Sequence, residues 1–310
     1  MLAAMPAGLA TLALTALGLV NAIPFPDWLS DEIFSIGPVT LRWYGLAYVV
    51  GWFLALRLAI ATVRRPELFA VPGTPRAAEK VPSAQRLEDL WFWGLIGVLL
   101  GGRLGSVALY EPQKYLADPL AILRVWEGGM AFHGGFLGVV LVVVLYARRH
   151  GYSILRLLDI AALGTPIGLF LGRLANFANQ ELWGHVTDVP WGIVFDTGGP
   201  LPRHPSQLYE AALEGVALFF ILLLLARRFR ILARPGIAGG VFVAGYGIFR
   251  IIVEQFRVPD ADLILGLSRG TAYSLPMVVV GGAFAVWAAR RAPTEPVLEG
   301  AEAAEELETA

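Results

Sequence analysis

A polar series with anion-binding chemistry lies towards the C-terminal end of the chain. Tyr246, Arg250, Glu254 and Arg257 follow one another at intervals of four, four and three residues. Helical residues at these intervals share one face. Two guanidinium groups accompany a single carboxylate, so the series predicts a surplus positive charge that can bind an anion. A salt-bridged stripe that satisfies its own charges is the alternative interpretation.

A second polar group begins at Arg173, which is followed by Asn176 and Glu181. A lone arginine at the end of an apolar helix commonly extends towards the lipid headgroups, but the neighbouring amide and carboxylate favour a binding role. A planar guanidinium can hold a phosphate through two hydrogen bonds. Arg173 and Arg250 belong to different helices, and together they predict a clamp for a phospholipid headgroup.

Two histidines are candidate bases. His133 precedes Gly134 and Gly135, and glycines allow another chain or a ligand to approach closely. A neutral imidazole can take up a proton near pH 7. His204 is the second candidate. The alternative for a lone histidine in such a place is an interfacial residue with satisfied hydrogen bonds.

The sequence lacks the residues and motifs that metal sites, serine hydrolases and P-loop proteins require. The chain has no cysteine and only 4 histidines, and it contains no HExxH, GxSxG or P-loop motif. We therefore expect neither a metal site nor a cofactor. The formal net charge of -1 provides no electrostatic footprint for nucleic acid, so we expect no nucleic-acid partner.

The composition indicates that a membrane surrounds the elements that carry these residues. Hydrophobic residues make up 56% of the 310 residues and charged residues 16%, with a mean hydropathy of +0.63. Soluble domains carry about 25% charged residues. Apolar windows of roughly 20 residues can cross a bilayer, and there they must be helical. We predict an all-α, polytopic membrane helix bundle with seven spans, at 39–62, 90–110, 130–147, 157–175, 209–226, 237–254 and 271–289.

The basic residues indicate how these spans are oriented. Most of the 24 Lys and Arg residues fall in the loops on one side, and the basic loops of a membrane protein face the cytoplasm. We therefore expect the N-terminus of the core outside and the C-terminus in the cytoplasm. Arg173, Arg250 and His133 then lie at the level of the outer leaflet, and we predict no comparable cluster at the inner level.

The two ends of the chain differ from the core at 23–291. Residues 1–22 are apolar but lack Lys and Arg, whereas a signal peptide has a basic start. The composition of residues 1–22 is compatible with an additional membrane span and with a segment that lies at the membrane interface. Residues 292–310 are acidic and poor in bulky side chains, so we expect a disordered cytoplasmic tail.

Six sequence blocks support a family resemblance. They are IPFPDWLSDEIFSIGPVTLRWYGLAYVVG (23–51), GGRLG (101–105), WEGGMAFHGG (126–135), GRLANFANQELWG (172–184), RHPSQLYE (203–210) and YGIFRIIVEQFR (246–257). In these blocks, which occur in order, the chain resembles the bacterial prolipoprotein diacylglyceryl transferases. The family signature GRxxNFxNxExxG is matched in full. Gln180 departs from the glycine that family members often have.

The resemblance implies an enzyme of lipoprotein maturation. Such an enzyme moves the diacylglyceryl group of phosphatidylglycerol to the thiol of the lipobox cysteine in a preprolipoprotein signal peptide. The products are a thioether-linked lipid and glycerol phosphate. The resemblance also implies a multi-pass protein of the bacterial cytoplasmic membrane, surrounded by membrane lipids, whose active site faces the outer leaflet.

The resemblance also assigns roles to the candidate residues. Arg173 should bind the phosphate of phosphatidylglycerol, and Arg250 should stabilise the transition state or the leaving phosphate. His133 should act as the base or position the thiol, and the residue that removes the thiol proton stays open. Further residues should contribute to the polar pocket or to substrate binding, namely Tyr44, Asn176, Glu181, His204, Tyr246, Glu254 and Arg257.

A transporter of lipids or small solutes is the alternative function, since it could use the same arginines to bind its substrate. Such proteins commonly have inverted repeats and broken helices near the membrane midplane. Here the sequence has only a faint echo between GRLG at 102–105 and GRLA at 172–175. An intramembrane protease would need a catalytic pair or metal site within the spans, and none is evident.

Overall fold

The structure is a computed structural model that describes residues 22–37, 39–71, 78–124, 128–259 and 262–298. Of the N-terminal segment predicted at 1–22, only Ala22 belongs to these residues. The tail is described as far as Leu298.

Seven long apolar helices make up most of the described residues. They are α1 (Trp43–Val63), α2 (Ala84–Tyr110), α3 (Phe132–His150), α4 (Ile154–Ala178), α5 (Ser206–Phe229), α6 (Ile237–Glu254) and α7 (Arg269–Ala289). Each is long and apolar enough to cross a membrane, so the all-α prediction with seven spans is confirmed. The ends differ from the predicted ones by a few residues. For example, α2 begins at Ala84, where the side chain of Ser83 accepts a hydrogen bond from the backbone of Arg86.

Two helices contain a π-helical stretch, which widens the turn and changes the face that later residues present. The stretch in α2 is Ser106–Tyr110, so Tyr110 is its last residue. The stretch in α5 is Ala211–Ala217, and it contains Glu214. Both stretches carry side chains of the candidate site.

The described residues group into two compact units. The first takes its residues from Met1–Ala55, Ala162–Phe229 and Ile237–Arg290, and the second from Leu56–Ala161, Arg230–Gly236 and Arg291–Ala310. The division falls inside α1 and α4. The single core domain expected at 23–291 stays a prediction.

Small residues allow close helix packing in the first unit. A Cβ atom added to Gly240 of α6 would lie 2.8 Å from the backbone nitrogen of Ala285 in α7. One added to Gly281 of α7 would lie 2.7 Å from the nitrogen of Ala244. Since real Cβ atoms do not approach so closely, glycine is required where α6 meets α7.

The second unit packs α2 against α3 in the same manner. A Cβ atom at Gly105 would lie 2.8 Å from the Cα atom of Gly134. Just before α3, the backbone of Ala131 donates a 2.9 Å hydrogen bond to the carbonyl of Gly102. These contacts fix the first turn of α3, which carries His133, against the end of α2.

Three two-stranded sheets occur among the described residues. In the first unit, β1 (Ile23–Pro24) pairs in parallel with β5 (Ile193–Val194), and β2 (Glu32–Ile36) forms an antiparallel pair with β3 (Val39–Arg42). In the second unit, β4 (Ala78–Val81) pairs in parallel with β6 (Glu295–Leu298). We expected residues 292–310 to be disordered. Within this segment, residues 295–298 form a strand whose backbone bonds to β4.

Candidate active site

Arg173 lies on α4 between two fully buried carboxylates of α5. Its Nε is 3.3 Å from Oε2 of Glu210, and its Nη2 is 3.4 Å from Oε2 of Glu214. Both glutamate side chains are 0% exposed. A carboxylate buried in this way requires a cationic partner, and Arg173 supplies it to both.

Two arginines of the predicted polar series reach the same carboxylate. Arg250 forms an ion pair with Oε1 of Glu210, and its Nη2 lies 2.8 Å from Oε2 of Glu254. Arg257 Nη1 is 3.0 Å from Oε1 of Glu210. Glu210 therefore contacts three guanidinium groups, one from α4 and two from α6 and the residues that follow it.

These six residues form an arginine–glutamate cluster, consisting of Arg173, Arg250, Arg257, Glu210, Glu214 and Glu254. The three positive charges are matched by three negative ones. The surplus positive charge expected from the sequence is therefore absent from the cluster, because α5 contributes two carboxylates to it.

A hydrogen-bonded network extends the cluster towards α1. The hydroxyl of Tyr44 donates to Oε1 of Glu181, which also accepts a 2.7 Å hydrogen bond from Nδ2 of Asn176. The amide oxygen of Asn176 lies 3.5 Å from Nη1 of Arg173. The structure thus brings Tyr44, Asn176 and Glu181 together with Arg173.

A left-handed turn after α4 delivers Glu181 to this network. Gln180 has a φ of 53°, and Leu182 has a φ of 57°, a region in which residues with a side chain are strained. Gln180 is held there by hydrogen bonds with Asp196, from Nε2 at 3.0 Å and from the Asp196 backbone at 2.7 Å. A glycine would adopt such a φ without strain.

The last glycine of the same motif is required by packing. A Cβ atom at Gly184 would lie 2.8 Å from the Cβ atom of His204. The backbone of Gly184 also donates a 2.9 Å hydrogen bond to the carbonyl of His204. The neighbouring residue His185 donates to the carbonyl of Phe256 at 2.9 Å, so the motif closes against the residue before Arg257.

Tyr246 and His204 are placed differently within the first unit. Tyr246 interacts electrostatically with Arg173, Arg250 and Glu214, and it therefore borders the cluster. His204 Nδ1 lies 3.1 Å from the hydroxyl of Tyr209. Burial lowers the pKa of His204 below its ordinary value, and His185 lowers this pKa further, whereas Asp188 raises it. A lowered pKa keeps the imidazole neutral at neutral pH.

His133 lies in the second unit. Its Nδ1 is 2.9 Å from the hydroxyl of Tyr110, at the π-helical end of α2. A hydrogen bond at Nδ1 leaves Nε2 as the other site that can exchange a proton. The role of His133 relative to the arginines stays a prediction.

Arg103 organises the residues before His133. Its side chain is buried, and it donates to five backbone carbonyls, those of Ala121, Ile122, Arg124, Gly128 and Gly129. The bonds to Ile122 and Gly129 are 2.8 and 3.0 Å long. A Cβ atom at Gly129 would lie 2.8 Å from Nη1 of Arg103. One arginine thus joins residues 121–124 to residues 128–129.

A second buried polar group lies near the start of α4, at the opposite end of this helix from Arg173. Arg156, near the start of α4, is fully buried, with Nη2 located 3.0 Å from Oε2 of Glu79 and 2.7 Å from Oγ1 of Thr294. The backbone of Gly236 donates to Asp159 at 2.7 Å. The sequence placed Arg156 in a loop, but β4 and residues 291–294 enclose it.

Sequence reasoning missed Glu210 and Glu214. Both lie inside or at the edge of the predicted span at 209–226, where an ionisable residue is a functional candidate by default. Their spacing of four residues places them on one helix face, which was a usable signal. No group of three His, Cys, Asp or Glu side chains suited to a metal ion occurs in the part of the chain that the structure describes.

Fold and site together define a multi-pass membrane protein with a buried arginine–glutamate cluster supplied by α4, α5 and α6. The family model for prolipoprotein diacylglyceryl transferase matches residues 31–287. The chain therefore belongs to the prolipoprotein diacylglyceryl transferase family.

Individual relatives agree with this assignment. A protein of Brucella anthropi is 48% identical over 275 residues, which cover 87% of this chain and 95% of the relative. A protein of Allorhizobium ampelinum is 47% identical over 287 residues, which cover 90% and 96%. Both relatives are named phosphatidylglycerol–prolipoprotein diacylglyceryl transferase. The family resemblance expected from the sequence is confirmed.

Proposed function

We propose that this protein transfers the diacylglyceryl group of phosphatidylglycerol to the thiol of a lipobox cysteine, the first step of lipoprotein maturation. The family membership supports a transferase, and the names of the relatives supply the donor and acceptor. The chain has no cysteine of its own, so the attacking thiol belongs to the preprolipoprotein signal peptide.

The observation that carries this proposal is the convergence of Arg173 and Arg250 on one carboxylate. The two guanidinium groups come from different helices, and both contact Glu210. Guanidinium groups that meet at one anion can also hold the oxygens of a phosphodiester. The donor phosphate would therefore bind between these two guanidinium groups.

The reaction exchanges one bond to carbon for another. The sulfur forms a bond to the glycerol carbon of the diacylglyceryl group, and the bond from that carbon to the phosphate oxygen breaks. The thiol loses its proton, and the electron pair of the broken bond leaves with glycerol phosphate. Arg173 would bind the donor phosphate, and Arg250 would stabilise the charge that develops on the leaving oxygen.

The thiolate is the attacking form of cysteine, so a base or a positive field must favour it. His133 is the proposed base or positioning group, and His204 is the second candidate. A polar wall would be formed by Tyr44, Asn176, Glu181, Tyr246, Glu254 and Arg257, which contact or border the arginines. The family resemblance implies that these steps need neither a nucleotide nor a metal.

We also propose that the protein resides in the bacterial cytoplasmic membrane, with the cluster at the outer leaflet. The distribution of basic residues supports this orientation. Cysteines introduced at Asp188 or Asp262 should react with an impermeant maleimide on intact spheroplasts, whereas cysteines at Ala78 or His150 should not. The reverse labelling pattern would contradict the orientation.

The decisive assay separates a transferase from a transporter. The purified protein is incubated with a lipobox peptide and phosphatidylglycerol that carries labelled acyl chains. We expect the label to become covalently attached to the peptide, and a peptide with serine in place of cysteine should remain unlabelled. Movement of labelled lipid across a vesicle membrane without any labelled peptide would instead support the transporter.

A further inference from the structure

The charge balance of the arginine–glutamate cluster creates a difficulty for an anionic substrate. Three arginines face three glutamates, so the cluster is neutral when all six are ionised. A phosphodiester would bring one further negative charge into a site withdrawn from water. An uncompensated charge in such a site is strongly unfavourable.

Glu214 is the carboxylate that is least compensated. Glu210 contacts three guanidinium groups, and Glu254 contacts two. Among the described residues, Arg173 is the one guanidinium within ion-pair distance of Glu214, at 3.4 Å, and none of these residues donates a hydrogen bond to Oε1 of Glu214. Its side chain is fully buried, so water compensates it little.

We propose that Glu214 takes up one proton when the phosphodiester of phosphatidylglycerol binds between Arg173 and Arg250. The proton restores neutrality, because the new negative charge replaces the one that Glu214 loses. Arg173 is then released from Glu214 and can direct its Nη2 to the phosphate. This inference rests on the phosphate-binding role proposed above for the two arginines.

The groups that surround Glu214 are consistent with this exchange. Arg173 faces it from α4, Arg250 and Tyr246 from α6, and Glu210 from one turn earlier on α5. Arg250 and Arg173 are permanently charged, so a carboxylate must take up the proton that balances the bound anion. Glu214 is the one that we propose, because it has fewer guanidinium contacts than Glu210 or Glu254.

Calorimetry measures the proton directly. The detergent-solubilised protein is titrated with dioctanoyl phosphatidylglycerol in Hepes and in Tris at about pH 8, since two buffers with different ionisation enthalpies report the protons taken up. We expect about one proton per lipid for the wild type and none for Glu214→Gln, which mimics the protonated carboxyl. Dioctanoylglycerol, which lacks the phosphate, should bind without proton uptake.

A matched variant controls for the loss of a carboxylate. Glu111 is exposed and pairs with Lys114 outside the cluster, so Glu111→Gln should take up as many protons as the wild type. The dissociation constant of the wild type for dioctanoyl phosphatidylglycerol should also rise roughly tenfold for each unit of increasing pH, in the range where Glu214 of the lipid-free protein is ionised. In Glu214→Gln this dissociation constant should not change with pH.

Three results would overturn the proposal. These are a wild-type proton number near zero, a Glu214→Gln protein that takes up protons as the wild type does, and a wild-type affinity that is independent of pH. The last result requires no variant, so it decides the matter even if Glu214→Gln fails to fold. Absence of saturable lipid binding would overturn the phosphate clamp as well, whereas binding without proton uptake would overturn only this inference.

Discussion

Replacing Arg250 by lysine keeps the positive charge and removes the planar fork. In the structure Arg250 directs Nη1 to Glu210 and Nη2 to Glu254, so its guanidinium contacts two carboxylates at once. A single ammonium group is a point charge and cannot reproduce both contacts in that geometry. Arg250→Lys should therefore fold and insert, but it should lose one of two directed hydrogen bonds in the transition state.

The expected magnitude follows from the loss of that hydrogen bond. A hydrogen bond to a charged group contributes about 1.5–3 kcal/mol. Because about 1.4 kcal/mol corresponds to a factor of ten in rate, kcat/KM should fall roughly 10- to 150-fold. Complete removal of the charge, as in Arg250→Met, would in addition weaken the pairing of Glu254, whose other guanidinium contact is Nε of Arg257 at 3.9 Å, and so destabilise the protein.

The assay is transfer of labelled diacylglyceryl from phosphatidylglycerol to a lipobox peptide, with thermal unfolding as the check on folding. Arg42→Lys is the matched control, because Arg42 is exposed and pairs with exposed Glu32 at 3.3 Å. It should retain nearly full activity. An Arg250→Lys protein with the kcat/KM of the wild type would refute the reasoning that the guanidinium fork is needed.

The other predictions concern four separate residues. If His133 is the base, the rate of His133→Asn should recover as the pH approaches the ordinary thiol pKa near 8.5, whereas a uniformly low rate would indicate a positioning role. Arg103→Lys should expose residues 111–131 to limited proteolysis, because lysine cannot hold five carbonyls; unchanged cleavage would contradict this. Thr294→Val should lower the free energy of unfolding by about 1 kcal/mol, since it removes the hydrogen bond to Arg156, and an unchanged urea midpoint would speak against it. For His204, the lowered pKa means that the unfolded chain binds the proton more readily, so stability should fall as the pH drops below about 6.5; His204→Gln should lose that part of the pH dependence, and identical profiles for both proteins would argue against it.

The sequence was sufficient to predict the membrane helices because each span must satisfy its own backbone within lipid. Hydropathy alone therefore located all seven. The ends were less certain: α2 begins six residues before the predicted start at 90, because Ser83 caps it and the helix extends past the apolar window. Periodicity also placed Arg250 and Glu254 together correctly.

The sequence alone could not predict which side chains of different helices form ion pairs. The balance of charge around Arg173 depends on Glu210 and Glu214, which reach it only because α5 packs beside α4 and α6. A count of charges along one helix could not include them. The strand at Glu295–Leu298 was missed for a similar reason, since an acidic segment forms a strand here only because β4 lies next to it.

The central claim is that one molecule of phosphatidylglycerol is divided between a peptide and a released phosphate. The most direct measurement uses phosphatidylglycerol with one label in the acyl chains and another in the glycerol headgroup, incubated with the purified protein and a lipobox peptide. The account predicts that the peptide gains both labelled acyl chains, while the headgroup label appears as glycerol phosphate in equal amount. Base should release the two ester-linked acyl chains and leave a glyceryl group on the cysteine, because the thioether is stable to base. A peptide that gains only a single acyl chain and is restored to its unmodified mass by base, or release of glycerol phosphate without a modified peptide, would contradict it.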